Sequence, residues 1–348
     1  YNTMITGQGE NDMKFWKKLA SAVLAASMVI ALGACSGGAS DGGASDSAEL
    51  KKVTFVLDWT PNTNHTGVYA AIENGYYEEE GLEVEIIQPP EDGALAAVGT
   101  GHAQFGVDFQ ESLAVALTAE QPVPVTAVAA VLDHNTSGII SMKDKGIDSF
   151  DKLEGKTYAT WDMPSEKAII KQVMTDAGAD YEKLNMVPHP GSDALSLMQT
   201  DVDAVWVYEG WDVMMAELAG IEYNYIPFAN QSPVLDFYTP VIVASNDFLD
   251  SDPDTAKAFM SATAKGYEFA AQNPSQAAEI LLKHVPELSP DLVKKSQEYL
   301  AQQYMGEKSA WGAIDEERWS AFYGWMFEQG LIPRELGNEG FTNEYLPQ

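Results

Sequence analysis

Cysteine is almost absent from this chain of 348 residues, which contains a single one at position 35. One cysteine cannot form an intramolecular disulfide framework, and it cannot build a metal site from several thiolates. The sequence also lacks a nucleophile elbow, a phosphate-binding loop and a zinc-binding helix. Any catalysis would therefore depend on carboxylates, and we expect no metal and no cofactor.

Basic residues are scarce as well. The chain has 20 lysines and arginines against 52 aspartates and glutamates, which gives a formal net charge of -32. Such a surface repels a phosphate backbone, so nucleic acid is not expected as a partner. The charge does not indicate disorder, because 45% of the residues are hydrophobic and 8 are tryptophan.

The first residues resemble an export signal. Met13 begins a short basic tract, and an uncharged apolar run over 19–32 follows it. Because this run is shorter than the roughly 20 residues of a spanning helix, it predicts a cleaved secretory signal peptide over 1–34. Residues 1–12 precede the basic tract and are assigned no role. A retained membrane helix is the alternative.

The signal ends in Leu-Gly-Ala-Cys, which resembles a bacterial lipobox. The motif implies cleavage before Cys35 and lipidation of that residue, so the protein is expected outside the cytoplasm, anchored to the cell membrane by lipid. The alternative is an unlipidated cysteine left at the end of the leader. Glycine, serine, alanine and aspartate dominate residues 35–49, a composition that predicts a flexible tether.

From residue 50 onward, apolar strand patterns alternate with helical patterns, which predicts an α/β protein of two lobes. We assign 50–138 and 242–348 to lobe I and 139–241 to lobe II. Strands near 138–142 and 239–245 are expected to cross between the lobes as a hinge. One helix is predicted over 67–79, and a helical C-terminal tail is expected to pack back on lobe I.

Polar and aromatic side chains follow four of the predicted strands. In open α/β sheets, ligands bind beyond the carboxyl ends of the strands. Aromatic faces stack on flat rings, while carboxylates and amides bind ring nitrogens and amino groups. An anion site would instead offer basic side chains or a hydroxyl-capped helix start. The sequence thus predicts a neutral or cationic planar ligand rich in nitrogen. The four segments are DWTPNTNH (58–65), DFQE (108–111), TWD (160–162) and YEGWD (208–212).

Ten residues are predicted to contact this ligand. Several have structural alternatives: Trp59 could close a sheet edge, the two asparagines could cap a turn, and the histidine could be a structural hydrogen-bonding group. A glutamate directly after a buried strand is difficult to explain as packing, which favours a ligand contact for Glu209. The ten are Trp59, Asn62, Asn64, His65, Tyr69, Asp108, Trp161, Tyr208, Glu209 and Tyr238.

The stretch VTFVLDWTPNTNHTGVYAAIENGYYEEEGLEVEI (53–86) resembles the opening of the thiamine-pyrimidine-precursor family, and FGVDFQESL and DAVWVYEGW follow in the expected order. The resemblance implies a type II periplasmic-binding-protein fold and a substrate-binding lipoprotein of an ABC importer. Its ligand would be formylaminopyrimidine or hydroxymethylpyrimidine, its partners the permease subunits, and its state monomeric. It also implies a pocket built from Trp59, Asn62, Tyr208 and Glu209, with the carboxylate on the aminopyrimidine edge.

Three alternatives stay open. Asp108 stands where many relatives carry a small hydroxyl residue, and an acidic group there would suit a free amine or another planar ring such as riboflavin. The wider superfamily includes sulfonate and nitrate receptors. Eukaryotic relatives are pyrimidine-synthesising enzymes that use a cysteine-rich iron motif, a histidine and a pyridoxal-phosphate lysine. This chain has no cysteine after position 35 and no lysine between 53 and 142, so we predict a binding protein and not an enzyme.

Overall fold

The computed structural model describes residues 49–189 and 193–347, and its strands form two five-stranded sheets. The predicted signal peptide, Cys35 and all of the predicted tether except Glu49 lie outside the described residues. The strands are β1 (Lys51–Val56), β2 (Leu82–Ile87), β3 (Phe105–Asp108), β4 (Val125–Ala130), β5 (Ser137–Met142), β6 (Thr157–Thr160), β7 (Asn185–Pro188), β8 (Ala204–Tyr208), β9 (Tyr223–Pro227) and β10 (Val241–Ser245).

Helices flank both sheets, and every regular element that the described chain forms after β10 is a helix. No helix among the described residues is long and apolar enough to cross a bilayer. The helices are α1 (Thr66–Glu73), α2 (Tyr76–Glu79), α3 (Ala94–Gly99), α4 (Gln110–Thr118), α5 (Pro164–Asp176), α6 (Ala194–Met198), α7 (Met214–Leu218), α8 (Asn246–Ser251), α9 (Pro253–Gln272), α10 (Pro274–His284), α11 (Pro290–Gln303) and α12 (Glu316–Glu328).

The two sheets share one topology. The first has the order β2-β1-β3-β10-β4 and the second the order β7-β6-β8-β5-β9. In each sheet the fourth strand is antiparallel to both of its neighbours. That strand is the one that arrives from the other lobe. The pattern confirms the predicted α/β class with two lobes, and it places the carboxyl ends of the parallel strands of each lobe along one edge of its sheet.

The connection between the lobes differs from the prediction. The strands predicted to cross belong wholly to the sheets, as β5 and β10, and residues 131–136 and 228–240 make the crossings. These crossing segments are hydrogen-bonded to each other. The amide of Val131 donates to the carbonyl oxygen of Pro240 at 3.0 Å, and the amide of Asn135 donates to Asp236 Oδ1 at 2.9 Å. The sequence pattern could not show where the chain crosses between the lobes, because β5 and β10 have the same apolar pattern as the other strands of their sheets.

The helix predicted over 67–79 is two helices. The chain breaks between α1 and α2 at Gly75, whose φ of 74° is in the left-handed region that favours glycine. α1 crosses α9 at very close range, since a Cβ atom on Gly266 would lie 2.0 Å from the carbonyl oxygen of Gly67. This contact fixes the start of α1, and with it the polar segment 58–65 that precedes the helix.

Candidate functional site

A cleft between the lobes contains two adjoining compartments. The first compartment has a volume of about 140 Å³, and the second has a volume of about 460 Å³. Both lobes contribute to the first, which is framed by the segments after β1, β3 and β8. Its lining residues are Asp58, Trp59, Asn62, Asn64, Phe109, Tyr208, Trp211, Asp212 and Pro240.

The segment after β1 presents a carboxylate to this cleft. His65 is fully buried, and its Nδ1 accepts a hydrogen bond from the amide of Asn62 at 3.1 Å. The other ring nitrogen, Nε2, therefore carries the proton and donates to Asp58 Oδ1 at 2.6 Å. His65 does not line the cleft, so its predicted ligand contact is corrected: it orients Asp58, which does line the cleft.

One of the two asparagines has the structural role that the sequence left open, and both lie at the cleft. Asn62 caps the short turn Thr63–His65, because its Oδ1 accepts from the amide of Asn64 at 2.9 Å. Its Nδ2 donates to the carbonyl oxygen of Thr60 at 3.1 Å. Both asparagines also line the first compartment. Capping holds Asn62 rigidly at the wall of the cleft.

Trp59 does not close a sheet edge, since 56% of its surface is exposed and it lines both compartments. Trp161 is 36% exposed and lines only the second compartment. Both tryptophans thus present open ring faces, which are suited to stacking on a flat ligand.

The segment after β8 forms a π-helical turn over Glu209–Val213. Asp212 lines both compartments, and its Oδ2 accepts from the amide of Tyr208 at 3.0 Å. Glu209 lines neither compartment, and its Oε2 accepts from the hydroxyl of Tyr299 on α11 at 2.8 Å. The ligand contact of Glu209 stays a prediction, and Asp212 is the carboxylate of this turn that lines the cleft. Such turns occur frequently at functional sites.

Burial changes the acidity of this region. It raises the pKa of Asp212 to about 6, and it raises the pKa of Asp108 to about 6 as well. Asp108 does not line either compartment. Its Oδ1 accepts from the amide of Phe109 at 2.7 Å and from the hydroxyl of Ser112, so it stabilises the first turn of α4. The predicted contact of Asp108 is thus corrected as well.

Glu111 is the most strongly shifted carboxyl group near the cleft. Burial, followed by the charge of Asp108, raises its pKa to about 8. Its Oε2 is inaccessible and has no hydrogen-bond partner among the described residues. Burial of Glu111 thus favours the protonated form of its carboxyl group.

Two further predictions are corrected, since Tyr69 and Tyr238 lie in the protein interior. Tyr69 packs between α1 and α10, with 5.4 Å between its ring centroid and that of His284. Tyr238 is fully buried, and its hydroxyl accepts from the amide of Asp315 at 2.9 Å. The guanidinium of Arg318 lies 4.4 Å from its ring centroid. Tyr238 therefore stabilises the second crossing segment and does not line the cleft.

The sequence analysis missed several residues of the first compartment, although all but Pro240 lie in the segments it selected. Which side chain of a segment faces the cleft depends on the local turn, and neither the π-helical turn nor the His65 contact has a sequence signature. Among the described residues, no cluster of acidic, histidine or cysteine side chains is arranged to hold a metal ion. The missed residues of the first compartment are Asp58, Phe109, Trp211, Asp212 and Pro240. Those of the second compartment also include His189, Asp193, Ala194, Val205, Trp206 and Met215, which lie outside the selected segments.

Comparison with known proteins gives three kinds of match. A family model described as NMT1/THI5 like matches residues 62–277. The formylaminopyrimidine-binding protein of Halalkalibacterium halodurans is 28% identical over 80% of this chain and 85% of its own length. The 4-amino-5-hydroxymethyl-2-methylpyrimidine phosphate synthase of Legionella pneumophila is 26% identical over 70% of this chain and 77% of its own length.

Solved structures share the fold. The periplasmic aliphatic sulphonate binding protein SsuA from Escherichia coli superimposes with a TM-score of 0.64 at 13% identity, covering 86% of this chain and 92% of that chain. At this identity the likeness concerns the fold alone. It confirms the expected periplasmic-binding-protein architecture.

Proposed function

The chain belongs to the NMT1/THI5-like family, and we propose that it is the extracytoplasmic substrate-binding protein of an ABC importer that captures a pyrimidine precursor of thiamine. One observation carries the proposal. Asp58 from the first lobe and Asp212 from the second line the same small cleft, together with open aromatic faces and two amide side chains. The formylaminopyrimidine-binding relative supports the choice of ligand.

The geometry suits an aminopyrimidine. Trp59 from lobe I and Trp211 from lobe II offer ring faces on which the pyrimidine stacks. Its exocyclic amine donates to the carboxylate of Asp212, and Asn62 and Asn64 supply amides for the ring nitrogens. Bonds from both lobes to one ligand favour rotation about the crossing segments toward a closed state, which the permease would recognise.

Contacts between the lobes outside the cleft support this closure. Tyr299 on α11 binds Glu209 of the second lobe, and Lys295 lies 2.7 Å from Glu217, measured between Nζ and Oε2. The hydroxyl of Ser296 donates to the carbonyl oxygen of Gly210. All three contacts connect α11 to the π-helical turn or to α7, next to the ligand-binding residues.

Anion capture is disfavoured by charge. None of the described residues that line the two compartments is lysine or arginine, whereas Asp58 and Asp212 repel a sulfonate or nitrate. A synthase role is the second candidate, because several relatives such as the Legionella protein are named synthases. The cleft residues bind and stack, and we assign none of them to catalysis.

Titration calorimetry of the purified chain tests the proposal. We expect 4-amino-5-hydroxymethyl-2-methylpyrimidine or its formylamino counterpart to bind and to raise the melting temperature, and taurine and nitrate to do neither. Mass spectrometry of the recovered ligand should show it unchanged. Binding of taurine in preference to both pyrimidines, or conversion of a bound ligand, would refute the receptor role.

A further inference from the structure

The second compartment is larger than the proposed function requires. Its volume of about 460 Å³ is more than three times that of the first, which is about 140 Å³. Sites for drug-sized ligands occupy roughly 300–1,000 Å³. The first compartment lies below this range and the second within it. The two share Trp59, Tyr208, Trp211 and Asp212 as walls, so one ligand can enter both.

The walls of the second compartment are aromatic. Trp161 lies between two other rings, with 6.0 Å from its ring centroid to that of Trp206 and 6.0 Å to that of His189. Met215 on α7 adds a polarizable thioether to the lining. The indole N–H of Trp206 is buried and has no acceptor among the described residues. These side chains form a surface for a flat group rather than a solvent channel.

The charge of the second compartment is negative. Asp193 and Asp212 are the charged side chains among its described lining residues, and burial lowers the pKa of His189, which keeps that imidazole neutral. A group bound there meets carboxylates and ring faces. Ring faces attract cations, and carboxylates repel anions.

From this geometry we propose that the bound molecule extends beyond one pyrimidine ring, and that a second flat group, cationic or uncharged, occupies the tryptophan-lined second compartment. This inference rests on the proposed function, because the first ring is taken to be the aminopyrimidine. The substrate class is then a pyrimidine precursor that carries a second flat group, and thiamine, with its cationic thiazolium ring, is an available two-ring probe for it.

Calorimetry with two probes tests the inference. The one-ring probe is 4-amino-5-hydroxymethyl-2-methylpyrimidine, and the two-ring probe is thiamine. We expect thiamine to bind the purified chain at least tenfold more tightly. Trp161→Ala removes one aromatic face, so it should narrow this difference to less than threefold, and Trp161→Phe should restore part of it. Phe327→Ala is the matched control, since Phe327 is 37% exposed on α12 and outside the cleft.

The outcomes separate the two proposals. Equal affinity for the two probes would contradict the proposal of a second bound group, and so would an equal loss of affinity for both probes in Trp161→Ala. Either result would leave the proposed function as a pyrimidine receptor unaffected. Failure of both probes to bind would instead reject the proposed function itself. The inference is supported if Trp161→Ala narrows the difference in affinity between the two probes and Phe327→Ala leaves that difference unchanged. Melting curves confirm that each variant is folded, which Trp161, at 36% exposed, should permit.

Discussion

Glu209 and Asp212 lie three residues apart on one π-helical turn, yet their side chains have different surroundings. Asp212 lines the cleft and is held by the amide of Tyr208, whereas Glu209 binds Tyr299 on a helix that packs with lobe I. Burial raises the pKa of both carboxyl groups. Two acidic residues of one turn therefore have different positions, one at the cleft and one in contact with the other lobe.

This difference shows how ligand binding and lobe contact are connected. A ligand that binds Asp212 acts on the turn that also carries Glu209 and Gly210. Gly210 allows α11 to approach, because a Cβ atom there would lie 2.8 Å from Leu300 Cδ2. The turn thus joins the cleft to α11 over a few residues. Separate substitutions of the two carboxylates should give separate effects.

The largest effect should come from Asp212→Asn. Asparagine can still accept the hydrogen bond from the amide of Tyr208, but it loses the charge that binds the ligand's amine. We expect the affinity for an aminopyrimidine to fall about 100-fold, which corresponds to about 2.7 kcal/mol of binding free energy. Titration calorimetry measures this directly.

Glu209→Gln is the matched control, because it removes a similar buried charge from the same turn. Its amide oxygen can still accept from the hydroxyl of Tyr299, so the affinity should change less than fivefold. Equal losses in the two variants, or a larger loss in Glu209→Gln, would contradict the assignment of Asp212 to the ligand.

A third carboxyl group extends the comparison, since Glu111 binds neither ligand nor lobe. Its pKa of about 8 in the folded chain exceeds its ordinary value of 4.5, so the folded state holds the proton more tightly. The contribution of this group to stability is therefore most favourable below about pH 4.5 and declines as pH rises through about 8. Glu111→Gln should raise the free energy of unfolding at pH 8 by on the order of 2 kcal/mol.

Chemical denaturation at pH 5 and pH 8 checks the effect of Glu111→Gln. The gain should be clearly smaller at pH 5, where the wild-type carboxyl group is already protonated in the folded state. A gain independent of pH would show that the substitution acts through packing, and a loss of stability at pH 8 would contradict the unfavourable burial of this charge.

The effect of pH on ligand affinity should be smaller than the effect of Asp212→Asn. Burial raises the pKa of Asp212 to about 6, so its carboxylate becomes protonated as pH falls through that value. A protonated carboxyl group binds the ligand's amine less well, and we expect about a tenfold loss of affinity between pH 7 and pH 5, corrected for protonation of the ligand. Asp212→Asn should flatten this profile, and an unchanged slope in that variant would assign the titration to another group.

The fold could be predicted from the sequence, whereas the site could be predicted only as segments. Alternation of strands and helices depends on hydrophobic periodicity, which survives in a single sequence. The choice between Glu209 and Asp212 depends on the path of one turn and on the proximity of Tyr299, 90 residues away. Likewise, only the fold shows that His65 holds Asp58 and that Tyr69 faces α10. Contacts of this kind arise from tertiary structure.

The smallest effect should come from Tyr299→Phe, which removes the hydroxyl that donates to Glu209 and leaves the aromatic ring in place. A neutral donor to a half-buried carboxylate contributes about 1 kcal/mol, so the affinity for any bound pyrimidine should fall about three- to fivefold. Because the loss acts through lobe contact and not through the cleft, it should be the same for every ligand of the site. Calorimetry with two pyrimidines of different substitution tests this, and a loss confined to one of them would place Tyr299 in the binding site instead.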